Sequence, residues 1–207
     1  MPNHIETIIR VKGKLSDITT LLQKHVSFNE TKDRCQLDFN TIIPQPETPE
    51  ECPTRYLITS EADARQHSLA WDPTNPRNWF NWYDWQREQW GTKWNSYDCS
   101  IPDPDAIADD LEVDPNLITD IEMVVYTAWA PAIPVYTKLQ EMYPELEITV
   151  YYLDEGWFYA GILRADGCID ETNNLDVYGP NDIFNEVMTV LDGYDWQERY
   201  GNEDEEC

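Results

Sequence analysis

Three histidines, five cysteines and forty carboxylates are the side chains of this 207-residue chain that could bind a metal or move a proton. A zinc hydrolase needs imidazoles at helical spacing, as in H-E-x-x-H or H-x-x-E-H, so that two of them meet one ion. His4, His25 and His67 stand too far apart for either pattern. Cys35, Cys52, Cys99, Cys168 and Cys207 are odd in number and contain no C-x-x-C pair. That spacing suits free thiols in a reducing compartment better than a zinc site or a disulfide framework. Asp103-Pro104-Asp105 followed by Asp109-Asp110 offers hard oxygen ligands for a divalent cation. An EF-hand loop, however, turns sharply at a glycine in its sixth position, and Ala108 stands there instead. G-x-S-x-G, P-loop and G-x-G-x-x-G motifs are lacking. Carboxylate pairs suited to glycoside hydrolysis occur, but forty acids produce such pairs by chance. The expectation is a chain with no catalytic residue, no metal site and no cofactor.

Aromatic chemistry is the stronger signal. Six of the nine tryptophans (Trp71, Trp79, Trp82, Trp85, Trp90 and Trp94) fall in one short window. Tryptophan combines a large apolar area with an N–H that needs a partner, so the window is either a core anchor or a recognition surface. Asn75-Pro76 reads as a helix start and Gly91 as the residue past its end, giving a Trp-rich central helix of about four turns. A broad apolar arc of this kind should be covered by protein. Lys93, just past the helix, complements the negative end of the helix dipole, and its stem could lie over Trp90 or Trp94. Tyr151, Tyr152, Trp157, Phe158 and Tyr159 could form a second stacking platform, although in alternating strands half of them should face the core.

The formal charge is -26, with an isoelectric point near 4.1. It is unevenly placed: the first third of the chain is nearly neutral and the last third is a strong anion. No basic residue occurs between Trp94 and Lys138. Such a surface repels phosphates and anionic membranes and attracts basic protein patches. Direct nucleic-acid binding, which draws on Lys and Arg neutralising phosphates, is not expected. Asp103, Asp105, Asp109, Asp110, Glu112 and Asp114, joined by Asp170, Glu171 and Asp176, are the candidate partner-binding surface. The chain shows no secretory leader and no apolar run long enough to cross a bilayer, so a cytoplasmic location is expected.

The elements that must position these groups follow from periodicity. Residues 5–11 alternate as a strand ending at Gly13, Ser16 caps a short helix, and residues 36–43 read as a second strand. A strand over 119–129, a helix over 131–142, a hairpin over 147–164 and a helix beginning at 179–182 complete the pattern. This is an α+β chain: an antiparallel sheet with helices packed on one face, and a ferredoxin-like, split β-α-β arrangement in its C-terminal half. Two regions are expected, 1–95 and 96–207, either as separate units or as one continuous globule.

Trp82-Tyr83-Asp84-Trp85 followed by Trp90-Gly91-Thr92-Lys93-Trp94-Asn95 resembles the YubB-like family of proteins carried by bacteriophages and conjugative plasmids. The Asn3-His4-Ile5 opening and the β-α-β start are similar to that family as well. The resemblance implies a ferredoxin-like C-terminal region, a bacterial cytosol and a mobile-element origin, and it carries over no catalytic residue. With the charge, it leads to the expectation of an accessory protein that binds the basic surface of a host protein. Inhibition of a host defence or nucleic-acid-processing protein, including by DNA mimicry, is its sharper form. The alternative is a small-ligand binder or enzyme with a pocket between the sheet and the Trp-rich helix.

Overall fold

A computed structural model describes residues 3–29, 31, 34–46, 56–57, 60–66, 78–79, 82–104, 107, 114–173 and 181–191. Its centre is the first strand, β1 (His4–Lys14). Ile5, Thr7, Ile9 and Val11 are fully buried on one face, while His4, Glu6, Arg10 and Lys12 project from the other. Helix α1 (Leu15–His25) and the hairpin of β2 (Val26–Phe28) and β3 (Cys35–Leu37) follow. Next come β4 (Tyr56–Leu57), α2 (Glu61–Gln66), β5 (Asn78–Trp79), α3 (Trp82–Gln89) and β6 (Tyr97–Ser100). The chain continues through β7 (Ile118–Ala128), α4 (Ile133–Met142) and β8 (Glu147–Asp154). It ends with β9 (Tyr159–Leu163), β10 (Ile169–Asn173) and α5 (Asp182–Leu191).

Eight strands form one antiparallel sheet in the order β10-β9-β8-β1-β7-β6-β3-β2. β1 pairs antiparallel with both β7 and β8, so those two run parallel with β1 between them and α4 as their crossover. The N-terminal strand therefore fills the gap of a split β-α-β unit, and the sheet draws strands from both sides of residue 95. Sequence order alone could not place β1, because strand insertion is a long-range event.

Helices cover both faces, which corrects the one-face expectation. The larger core joins Ile9, Val11, Val125 and Val150 to Leu21 and Leu22 of α1, Tyr136 and Leu139 of α4, and Trp85 and Trp90. A second cluster joins Leu153, Ala160 and Ile162 to Phe184, Val187 and Met188 of α5 on the opposite face. The reason lies in β9: Ala160, Gly161, Ile162 and Leu163 are all buried, so this strand has an apolar side for each layer.

Local boundaries differ from the expected ones for identifiable reasons. Helix α1 begins at Leu15, capped by Lys14 rather than Ser16, because the Leu15 and Ser16 N–H groups donate to the carbonyls of Leu117 and Pro115. The strand expected to run to Ile43 stops at Leu37. There Asp38 accepts from the Asn40 N–H, and the Asn95 side chain accepts from the Phe39 N–H, bending Phe39–Thr41 into a 3-10 turn. The central helix is shorter than expected, since Asn78–Trp79 pairs with Tyr56–Leu57 as strand. Strand β10 was not expected at all.

Candidate functional site

The N-terminal end of β1 meets the C-terminal ends of β7 and β8, and the site is built there. The Asn3 carbonyl accepts the Trp129 N–H, and the His4 carbonyl accepts the Glu155 N–H, both at 2.9 Å. Asp154 is fully buried and shapes the β8–β9 turn: its carboxylate accepts the N–H groups of Gly156 at 2.9 Å and Phe158 at 3.2 Å, and the Asn3 side-chain amide. The turn and its neighbours hold Trp129 at φ 72°, Trp157 at φ 57° and Asp98 at φ 46°. A β-carbon disfavours such left-handed backbone by about 1–2 kcal/mol. Among the described residues these are the three non-glycine positions that adopt it, and all surround this end of the sheet. Trp129, Trp157 and Phe158 remain 51%, 39% and 55% exposed. Left-handed backbone and exposed large aromatics together single out this end of the sheet as the candidate site.

On the face that α5 covers in part, beyond the strands it packs on, a cleft of about 610 Å³ is lined by His4, Glu6, Tyr97, Asp98, Tyr126, Leu153, Glu155 and Trp157. The ladder explains the convergence: Glu6 lies opposite Tyr126, and Tyr126 lies opposite Tyr97, so all three project from one face. His4 Nδ1 and the Tyr97 hydroxyl are 2.5 Å apart, and that hydroxyl lies 3.2 Å from the Thr127 carbonyl. The Tyr97 and Tyr126 phenols are both pushed up to about 12, chiefly by burial. Asp98 adds to the effect at Tyr97, and Glu6 at Tyr126. Both phenols, protonated at neutral pH with or without that shift, stand beside three carboxylates, Glu6, Asp98 and Glu155. No described cation forms an ion pair with those three.

The aromatic surface continues past this cleft. Trp94 packs against Tyr97 with ring centroids 6.4 Å apart. The Lys93 ammonium lies 4.6 Å from the Trp94 ring, 4.8 Å from Trp129 and 5.8 Å from Tyr83. A second cleft of about 490 Å³ opens beside it, between α3 (Asp84, Arg87, Glu88) and the end of β7. The rest of the Trp90–Asn95 block is internal. Trp90 and Trp85 are 2% and 4% exposed, and the Trp90 indole N–H donates to the Ile43 carbonyl at 2.9 Å. Gly91 takes φ 79° against Pro134, and the Thr92 hydroxyl donates to the Ala128 carbonyl at 2.9 Å. Asn95 donates to Asp38 at 2.8 Å. The side chain of Trp82 lies outside the described residues.

Four of the nine acidic residues singled out from sequence lie among the described residues, and those four are spread over separate elements. Asp105, Asp109, Asp110, Glu112 and Asp176 lie outside the described residues. Asp103 is half-buried, and exposed Asp114 caps the turn before β7 by accepting the Asn116 N–H. Asp170 is held at 2.5 Å by Arg164, which also donates to Glu186, and Glu171 accepts the Tyr152 hydroxyl at 2.9 Å. Three strands, and so four inter-strand spacings, separate β10 from β7, about 19 Å, roughly twice the physiological screening length. The described members of the set are therefore not one patch. Sequence reasoning weighed His4 only as a zinc ligand and passed over Glu6, Tyr97, Asp98, Tyr126 and Glu155. The available signal was the polar side of β1, where His4 and Glu6 alternate with the buried Ile5 and Thr7.

Among the described residues no group of three or more His, Cys, Asp or Glu side chains could hold a metal ion, and no helix is long and apolar enough to cross a membrane. Comparison with known proteins finds no family model, no curated protein and no solved structure that matches the chain.

Proposed function

We propose that this chain works by binding the basic surface of a protein partner, and that the aromatic–acidic cleft at the head of β1 receives the partner's Arg or Lys side chains. The observation that carries the reading is the union of three carboxylates with exposed Trp157 and the neutral phenols of Tyr97 and Tyr126 in one preformed cleft. Carboxylates attract a guanidinium or ammonium, and aromatic faces hold it by cation–π contact of about 0.5–2 kcal/mol each. The net charge of -26 would steer such a partner from a distance.

The biological setting proposed with it is that of a phage- or plasmid-borne accessory protein in a bacterial cytoplasm, of YubB-like type, acting on a host defence or nucleic-acid-processing protein. The Trp90–Asn95 block and the split β7-α4-β8 unit support that family reading and its ferredoxin-like component. The placement of α5 across the sheet from α4 departs from a ferredoxin-like half.

The experiment compares wild type with an E6Q/D98N/E155Q variant against an Arg-rich peptide and against the partner isolated from bacterial lysate. At low salt the variant should associate at least about tenfold more slowly, and the gap should shrink as salt rises. Equal association rates at low salt would remove the cleft from the interface. A second reading, a small polar ligand, is favoured by the His4–Tyr97 hydrogen bond and by a cleft volume in the range of small-molecule sites. It predicts ligand-induced protection of these residues with no dependence on salt.

A further inference from the structure

Strand β3 meets β6 at a single register pair, and that pair is Cys35 opposite Cys99. Both residues are half-buried free thiols, and both pack against the larger core, so they project from the same face. The Cys35 S–H donates to the Cys99 carbonyl at 3.1 Å, and Cys99 Sγ lies 3.3 Å from the Ser96 hydroxyl. These are weak sulfur contacts that cost little to exchange. Directly opposed residues on antiparallel strands have Cα atoms about 4.5–5.5 Å apart, inside the roughly 4.4–6.8 Å span of disulfides. The backbone thus already stands in a disulfide-compatible arrangement, although the two residues are 64 positions apart in the chain.

We propose that Cys35 and Cys99 form an oxidation site, closing to an intramolecular disulfide by exchange with a low-molecular-weight disulfide such as oxidised glutathione. One cysteine loses its proton and its thiolate attacks a glutathione sulfur. The glutathione S–S bond breaks, one glutathione thiolate leaves and takes up a proton, and a protein–glutathione mixed disulfide remains. The second cysteine thiolate then attacks the protein sulfur of that mixed disulfide and releases the second glutathione. Two protein thiols are oxidised, one glutathione disulfide is reduced to two thiols, and protons balance. The bond would fasten the β2–β3 hairpin to β6, the strand that carries Tyr97 and Asp98 of the cleft. The inference is independent of what the cleft binds.

The test incubates the native full-length chain with oxidised glutathione, blocks remaining thiols and maps disulfides by non-reducing peptide mass spectrometry. The expected product is a Cys35–Cys99 cross-linked peptide, with two fewer reactive thiols and no retained glutathione on either residue. The melting temperature should rise by about 10 °C and return on reduction, as closing a loop of this length implies. A C52S/C168S/C207S variant, keeping these two thiols alone, should go from two reactive thiols to none. The C35S and C99S variants should instead stop at a stable mixed disulfide on the remaining partner. Glutathione retained on both residues, a different pairing, or Cys35 and Cys99 both left unreacted in the native protein would overturn the proposal.

Discussion

Removing the indole of Trp90 separates the structural tryptophans from the exposed ones. Trp90 is 2% exposed and packs edge-on against Phe39 at 5.9 Å and Trp85 at 5.5 Å. Truncation of a buried aromatic to alanine costs about 3–5 kcal/mol, through lost transfer energy and an incompletely collapsed cavity. The Ile43 carbonyl also loses the donor that reaches it at 2.9 Å, adding about 1 kcal/mol. Trp90→Ala should therefore destabilise by about 4–6 kcal/mol, a large share of the roughly 5–15 kcal/mol that holds a domain folded. Trp90→Phe, which keeps a ring and loses the indole hydrogen bond, should cost about 2 kcal/mol. Trp129→Ala is the control: half of that ring is exposed already, and its loss should cost no more than about 1–2 kcal/mol. Urea unfolding followed by far-UV circular dichroism gives all three values. A Trp90→Ala protein within about 1.5 kcal/mol of wild type, or a Trp129→Ala protein less stable than it, would refute the division.

Two further perturbations test the same frame. A β-carbon on Gly91 would meet Pro134 Cδ at 2.8 Å at φ 79°, whereas one on Gly167, at φ 84°, meets nothing within 4 Å. Gly167→Ala should cost about 1 kcal/mol and Gly91→Ala at least about 2–3, and equal values in paired unfolding experiments would deny that Gly91 is held by α4. His25, 1% exposed between the Thr41 and Tyr143 hydroxyls, is pushed down from 6.5 to about 4, first by burial and then by Lys24. The unfolded chain takes up this proton first, so stability present above pH 6.5 is lost as pH falls toward 4, about 2 kcal/mol of it by pH 5. The difference between wild type and His25→Gln should shrink by that amount between pH 6.5 and 5, and parallel curves would contradict the assignment.

What the sequence disclosed was whatever its local periodicity carried. β1, β7, β8 and α4 lie within a few residues of their expected positions because each alternates or repeats strongly enough to be read in isolation. Strand β10 escaped because an edge strand pairs on one side only: of its five residues Thr172 alone is buried, and the Ile-Asp-Glu-Thr-Asn run has no apolar stripe. The apolar stripe of α5 was legible, but the face it covers depends on β9, which is apolar on both sides. The cleft was invisible for a different reason. His4 and Tyr97 are 93 positions apart and meet only because β1, β7 and β6 lie side by side in register. Cys35 and Cys99 come together by the same route, which is why their spacing in sequence misleads.

Registration also decides where the charge acts. Surface ion pairs contribute little to stability, about 0–1 kcal/mol each, but they cancel field where they form. Along the α5 face of the sheet, Arg10 sits 2.6 Å from Glu122 and Lys12 sits 3.8 Å from Glu147, so cations offset carboxylates in the middle of that face. Four residues before Arg10, at Glu6, the pairing ends. Glu6, Asp98 and Glu155 share the cleft with neutral phenols, and no described cation forms an ion pair with them. On the proposed reading, a partner's cation crossing this face would find attraction concentrated at the head of β1, beside aromatic rings held in left-handed backbone. Total acidity would bring such a partner near, and the unequal distribution of the few cations would set where it lands.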